Sequence, residues 1–265
     1  MRLDEPFEPT FTGSRQERRY IRESLGEFYE DRLFLDVLYR VQGGKEANVY
    51  CLKANPKLGV PLIAAKVFRP RMFRAMRNDS FYKIGRGIMD GEGKLVLDGR
   101  SLRALAKNTR YGKKLGTVSW VQHEYGLLRE LHAAGADVPK PIASDTNAIL
   151  MEFIGDSDGP APILSSVALE PGEAKPLLDR ILRSVEAMLS CYRVHGDLSA
   201  YNVMLRNGEP VLIDFPQAVD AHRHPNAFMI FARDVDRLCR YFEKQGVETD
   251  AVGLAHDLWA DWIGF

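Results

Sequence analysis

The chain has 265 residues, 45% apolar and 27% charged, with 36 basic against 36 acidic side chains. That length allows one large domain or two lobes with separate cores, and the composition excludes a disordered tail, a collagen-like repeat and a small disulfide scaffold. A formal charge of zero argues against coating nucleic acid or membrane by bulk electrostatics, although local patches survive such averaging. Cys51, Cys191 and Cys239 lie far apart without a Cys-x-x-Cys pair, so no zinc knuckle or disulfide framework is indicated and a reducing cytosol is expected. The N-terminus has no apolar signal core and no run approaches the roughly eighteen apolar residues of a membrane span, so a cytoplasmic protein with no membrane contact is expected.

Residues 1–31 are polar and charge-rich, and the mixed apolar pattern from Phe28 to Arg40 predicts a short helix that closes a lead-in segment, 1–40. From Val41, two β-rich runs ending at Leu52 and Phe68 flank a glycine turn and a Pro/Gly loop, which predicts consecutive antiparallel strands. The glycine-rich stretch from Asp79 to Gly116 reads as loop or insert, placed at about 78–117. Between Val118 and Ala134, Trp120, Val121, Leu127, Leu128 and Leu131 recur at helical spacing, with Gly135 as a stop.

Ala148 to Ile154 reads as a strand, and Gly155-Asp-Ser-Asp-Gly-Pro-Ala-Pro after it is the best linker in the chain. The lobe boundary is placed there, giving a first lobe of 41–154 and a second of 155–265. Beyond it, Gly172 to Arg193, Arg233 to Gln245 and the stretch from Asp250 are helical in pattern, and Val203 to Phe215 reads as strand, turn, strand.

The strongest chemical signal is His195-Gly-Asp-Leu-Ser-Ala-Tyr-Asn202 followed by Val211-Leu-Ile-Asp214. Asn207-Gly208 is a tight-turn dipeptide between two apolar strands, and folding about it brings Asn202 opposite Ile213, so the oxygens of Asn202 and Asp214 converge. An amide oxygen and a carboxylate suit Mg²⁺, which takes one or two protein ligands and completes its shell with water and phosphate. Asp197 is a second carboxylate, placed to orient or deprotonate an attacking hydroxyl or water.

Lys66 lies on an apolar strand, where a lysine must find a carboxylate or a ligand. Glu124, on the apolar stripe of the 118–134 helix, is equally anomalous unless paired, so the two are assigned to one ion pair; the alternative is a lysine snorkelling from an edge strand. Gly43-Gly44-Lys45-Glu46-Ala47-Asn48 could let backbone N–H groups approach phosphates, or could be only a turn.

Strand lysine, helix glutamate, His-Gly-Asp-x-x-x-x-Asn and Ile-Asp in this order resemble the protein-kinase fold. Gly-Gly-Lys-Glu-Ala-Asn-Val-Tyr, Val-His-Gly-Asp-Leu-Ser-Ala-Tyr-Asn-Val, Ile-Asp-Phe-Pro-Gln-Ala-Val and His224-Pro-Asn-Ala with Arg233-Asp234 are similar to the RIO family of atypical serine/threonine protein kinases and ATPases. The similarity runs from about Val41 to Phe242. It implies an α+β, bilobal kinase-like fold: an N-lobe of antiparallel sheet plus helix, and a compact, mostly helical C-lobe.

By position, the resemblance implies that Lys66 binds ATP phosphates and Glu124 holds it, with Gly44 and Lys45 in the phosphate loop. Met151 is then the gatekeeper, Glu152 and Ile154 the hinge against adenine, Asp197 the catalytic aspartate, and Asn202 and Asp214 the ligands of Mg²⁺ or Mn²⁺. In this family the metal-binding aspartate can accept the phosphoryl group, which makes Asp214 a candidate aspartyl-phosphate site, and His195 braces the loop rather than acting as a base. Autophosphorylation is implied for the insert, with Ser80, Ser101, Thr109 and Thr117 as unranked acceptors.

The phosphate loop lacks Gly-x-Gly-x-x-Gly, Phe-Pro-Gln follows Asp214 where ordinary kinases have Phe-Gly, and no Ala-Pro-Glu is found in the 51 residues after it. A peptide-docking platform is therefore not expected, nor a winged helix before residue 40, which points to the Rio-one-like group. Arg100 to Lys114 carries six basic residues and Lys66 to Arg77 five, neither with an acidic one, so contact with a ribosomal precursor or RNA through 66–77 and 100–114 is weighed against a solvated face. Two other functions stay open: a small-molecule phosphotransferase of the aminoglycoside or choline kinase type, and a nucleotide-binding assembly factor without turnover.

Overall fold

The computed structural model describes residues 7–44, 47–69 and 87–264. The chain divides into two compact units. One comprises the chain through the third strand together with Gly87–Gly126 and Pro141–Asp156, and the other comprises Leu127–Lys140 and the chain from Ser157 on.

The first unit is built on a five-stranded antiparallel sheet in the order β1-β2-β3-β5-β4, formed by β1 (Phe34–Gly43), β2 (Ala47–Ala54), β3 (Leu62–Phe68), β4 (Pro141–Asp145) and β5 (Ala148–Glu152). Successive strand residues point to opposite faces. Tyr50, Leu52, Ile63, Ala65, Val67, Ala148 and Leu150 therefore share one face, where they join Ile21, Leu25 and Phe28 of α1 (Arg15–Glu30) in one core. The opposite face presents Phe68 and Ile149 to Trp120 and Val121 of α3 (Arg110–Ala133). Lys66 has the parity of Phe68, pairs across the sheet with Val49 and Ile149, and so faces α3.

Two expectations are corrected here. The helix expected from Phe28 to Arg40 is replaced by the end of α1 and strand β1. Pairing of β1 with β2 slips at three points, between Phe34 and Asp36, Val37 and Tyr39, and Arg40 and Gln42. Extra residues at such bulges break the two-residue alternation, leaving buried Phe34 and Val37 three apart, the spacing of a helix. Half of the described part of the expected insert, from Gly87, is helical: α2 (Gly99–Ala106) precedes α3, which begins at Arg110 rather than near 118. Its glycines misled because Gly112 serves packing rather than a turn: a Cβ there would sit 2.1 Å from the Ala104 carbonyl oxygen of α2.

In the second unit, α4 (Ala174–Ser190) and α5 (Ala227–Glu243) bury stripes at helical spacing, Leu177, Leu178, Ile181, Val185 and Met188 on one, and Ile230, Phe231, Val235, Leu238 and Phe242 on the other. α6 (Ala251–Trp262) adds Trp259, whose ring meets Phe228 edge-on at 5.3 Å. Two small antiparallel pairs carry the chemistry: β6 (Arg193–Val194) with β9 (Val219–Asp220), and β7 (Val203–Arg206) with β8 (Glu209–Leu212). No described helix is long and apolar enough to cross a membrane.

Candidate active site

In the first unit, Lys66 Nζ donates to Glu124 Oε1 at 2.6 Å, with side chains 11% and 8% exposed. The same ammonium lies 5.4 Å from the Phe68 ring centroid. A buried charge pair at this distance keeps both groups ionised where either alone would be expelled or neutralised. Met151 and Glu152 are half-buried at the end of β5, with Met151 paired to Ala64 and Glu152 to Ile63, and Ile154 is buried just beyond.

Gly44 N donates to Ala47 O at 2.9 Å, closing the turn between β1 and β2; Lys45 lies outside the described residues. The side chain of Asn48 is buried, donating Nδ2 to Tyr50 Oη at 3.0 Å and accepting from Arg69 Nη2 at 2.6 Å.

In the second unit, the segment from Val194 to Asn202 links β6 to β7. Gly196 stands at φ +81°, and a Cβ there would lie 2.2 Å from Gln217 O, so only glycine fits. His195 is buried; its Nε2 lies 3.2 Å from Ile213 O, and Asp197 N donates to its Nδ1 at 3.3 Å. An acceptor at Nδ1 makes Nε2 the protonated nitrogen of a neutral ring. Burial pushes the imidazole below its usual range, outweighing the opposing pull of Asp214, the Ile213 carbonyl and Asp197. The histidine is a brace linking two stretches of main chain.

The β7–β8 hairpin turns at Asn207 and Gly208, both at positive φ, and Leu212 pairs with Val203. Ile213 N then donates to Asn202 O at 3.0 Å, setting Asp214 beside Asn202. Asn202 Nδ2 donates to Asp197 O at 2.8 Å and Oδ2 at 3.4 Å. Since the amide nitrogen is committed to Asp197, Oδ1 points the other way, as a cation ligand must. Asp214 is exposed and stands at φ +66°, a left-handed conformation costing a non-glycine residue about 1 kcal/mol. Among the described residues no three His, Cys, Asp or Glu side chains cluster as a metal cage. Two hard oxygen donors without a third fit Mg²⁺, which keeps most of its shell for water and phosphate.

Two further residues were given no role from the sequence, although Arg233-Asp234 stood among the motifs similar to the RIO family. Asp234, 2% exposed on the apolar stripe of α5, accepts from Gly196 N at 2.7 Å, while Arg233 Nη2 donates to Gly196 O. Burial raises its carboxyl to about 6 against the pull of Arg233 and two backbone amides. The signal was available, because a carboxylate on a buried stripe is the same anomaly that marked Glu124. Arg237, one turn later on α5, donates Nη1 to Asp197 Oδ1 at 2.8 Å; both side chains are 42% exposed, and an exposed arginine on a charged helix face carries no such signal.

Of the acceptors left unranked, Ser101 and Thr117 are buried, Thr109 is exposed, and Ser80 lies outside the described residues.

A family model described as the RIO domain matches residues 99–253. The RIO-type serine/threonine-protein kinase Rio1 of Haloferax volcanii is 32% identical over 215 residues, covering 81% of this chain and 66% of that protein. Rio1 of Thermoplasma acidophilum is 38% identical over 131 residues, 49% of this chain and 67% of that protein. The human serine/threonine-protein kinase RIO1 is 32% identical over 135 residues, 51% of this chain but 24% of its own length. The chain thus spans about two thirds of the archaeal relatives and a quarter of the human one. An α+β chain in which a strand lysine pairs with a helix glutamate, and an aspartate, an asparagine and a second aspartate meet at a hairpin, agrees with that match, and this chain belongs to the RIO-domain family of kinase-like proteins.

Proposed function

We propose that the chain is an ATP-dependent phosphotransferase of the RIO serine/threonine kinase type, acting first on its own hydroxyls. The carrying observation is the amide of Asn202, whose nitrogen is turned onto Asp197 so that its oxygen, beside Asp214, is left for a cation. Mg²⁺ or Mn²⁺ held by Asn202 Oδ1 and the Asp214 carboxylate would neutralise charge on a triphosphate.

Lys66, paired with Glu124, supplies an ammonium to phosphate oxygens in the first unit, and the backbone at Gly44 is the described part of the loop assigned to phosphate, Lys45 being assigned to it by sequence alone. Met151 and Glu152 at the end of β5, with Ile154 just beyond it, supply the adenine-binding hinge. In the second unit Asp197 orients the acceptor hydroxyl and takes its proton, its own geometry fixed by Arg237, Asn202 and the His195 brace.

A second route, capture of the phosphoryl group by Asp214 followed by hydrolysis, is favoured by the exposure of that carboxylate and by the engagement of Asp197 Oδ1 with Arg237. Single-turnover labelling with γ-labelled ATP, followed by identification of the labelled residue, tests both. Label on serine or threonine that disappears in Asp197→Ala supports transfer to a hydroxyl. Hydroxylamine-labile label on Asp214 supports the ATPase route, and no labelled protein with no phosphate release refutes the activity.

A further inference from the structure

We infer that the surface made by Leu95, Leu97, α2 and the first turns of α3 is a docking site for an acidic, amphipathic helical segment of another protein. This goes beyond the phosphotransfer reading and uses none of its residues.

The first observation is apolar. Leu95 (59%), Leu97 (82%), Leu102 (40%) and Tyr111 (56%) are all large and exposed, and they fall within one short stretch of sequence. Isolated exposed leucines are ordinary, but four large apolar side chains left exposed within seventeen consecutive positions mark a contact surface. Helix α2 is itself unusual: of its eight residues only Ser101 is buried. A helix this short is marginal in water and normally depends on burying an apolar face. Here it is held by its N-cap, Asp98 accepting from Ser101 N at 2.8 Å, by the Ser101–Tyr111 hydroxyl contact at 3.1 Å, and by close backbone seating against Gly112. Those contacts fix it on α3 while leaving Leu102 outward.

The second observation is charge. Arg100, Arg103, Lys107, Arg110, Lys113 and Lys114 are all exposed, and none forms an ion pair with a described residue. Among the described residues Arg103 bonds the Gly99 carbonyl of its own helix and no other group. Elsewhere on the same unit, exposed cations such as Arg19 and Arg40 have found glutamates. Arg100, Arg103 and the C-cap Lys107 stand at i, i+3 and i+7, one edge of a helix rising about 1.5 Å per residue.

A partner helix with carboxylates at the same spacing and aliphatic side chains beside them would meet both sets. Nucleic acid would satisfy the cations alone and leave three leucines in water, so the apolar cluster favours protein.

The test uses the full chain and a labelled helical peptide with glutamates at i, i+3 and i+7 and leucines along the adjoining edge, read by fluorescence anisotropy. A scrambled peptide of the same composition and a single-stranded RNA serve as comparators. Leu97→Ser/Leu102→Ser and Arg103→Glu/Lys107→Glu change only exposed side chains, and unchanged circular dichroism and ATP turnover report that the fold is kept. The proposal expects the amphipathic peptide to bind, the scrambled one to bind roughly tenfold more weakly, and either double variant to weaken binding by a similar factor. Equal binding of the scrambled peptide, indifference to the leucine variant, or RNA bound more tightly than the peptide at the same residues overturns it, the last by making the surface a nucleic-acid site.

Discussion

Replacing Asp234 by asparagine removes one buried charge, and its effect depends on pH in a calculable way. Asp234 is 2% exposed, and burial raises its carboxyl from 3.8 to about 6, even with Arg233 and the amides of Gly196 and Leu198 opposing the shift. Each unit of difference between folded and unfolded chain is worth about 1.4 kcal/mol, so the shift corresponds to about 3 kcal/mol. The folded pKa lies above the unfolded one. The contribution is therefore fully present below pH 3.8, where both states hold the proton, and is lost as pH rises through about 6.

Above that, the folded chain carries an ionised carboxylate that burial disfavours. Asp234→Asn has no proton to lose. The stability of the wild type relative to Asp234→Asn should thus fall by about 3 kcal/mol across this window and then stay level. His195, whose folded pKa is lowered by burial, works in the opposite sense, adding stability as pH rises, but it is common to both proteins and leaves the difference. Urea unfolding of both proteins at intervals from about pH 4 to about pH 8 measures the difference directly. A difference that is flat through this range, or that grows with pH, would refute the argument.

Glu124→Gln removes the charge facing Lys66 at 2.6 Å and should destabilise the fold by about 3 kcal/mol while depressing ATP turnover. Lys66→Met/Glu124→Leu should recover most of that stability and none of the turnover, measured by urea unfolding and phosphate release, because an apolar pair can replace the ions in packing but not at a phosphate. Gly196→Ala forces a Cβ to 2.2 Å from Gln217 O at φ +81°, and a loss of roughly 3 kcal/mol with slower turnover is expected from thermal unfolding and rate measurements.

Residues whose chemistry conflicts with their local pattern were the legible ones. Lys66 on an apolar strand and Glu124 on an apolar stripe each required a partner, and the pairing is what the fold forms. The Asn207-Gly208 turn fixed the register that puts Ile213 opposite Asn202. Strand β1 was hidden because its bulges replace alternation with a helix-like spacing, and the start of α3 was hidden because Gly112 looks like a loop residue when it is a contact. The packing of α1 on the sheet face opposite Lys66 depends on residues distant in sequence, such as Leu25, Val67 and Leu150, sharing one core, which no local pattern encodes.

The arrangement around Asp197 separates support from exposed charge. Its main chain is held by groups that are buried, with His195 neutral and Asp234 accepting from the backbone amide of Gly196, Arg233 Nη2 standing 3.5 Å from its other oxygen. Its carboxylate is steered by exposed Arg237 and by the half-buried amide of Asn202. Ionic contacts half-open to water are weak and exchange readily, whereas buried, satisfied hydrogen bonds do not. The position of the aspartate is therefore fixed from within, while Oδ1 can release Arg237 for an incoming group at small cost. Protonating His195 would reverse this, since a donor at Nδ1 would face the Asp197 N–H it now receives, and the brace would fail before the exposed carboxylate changed its contacts.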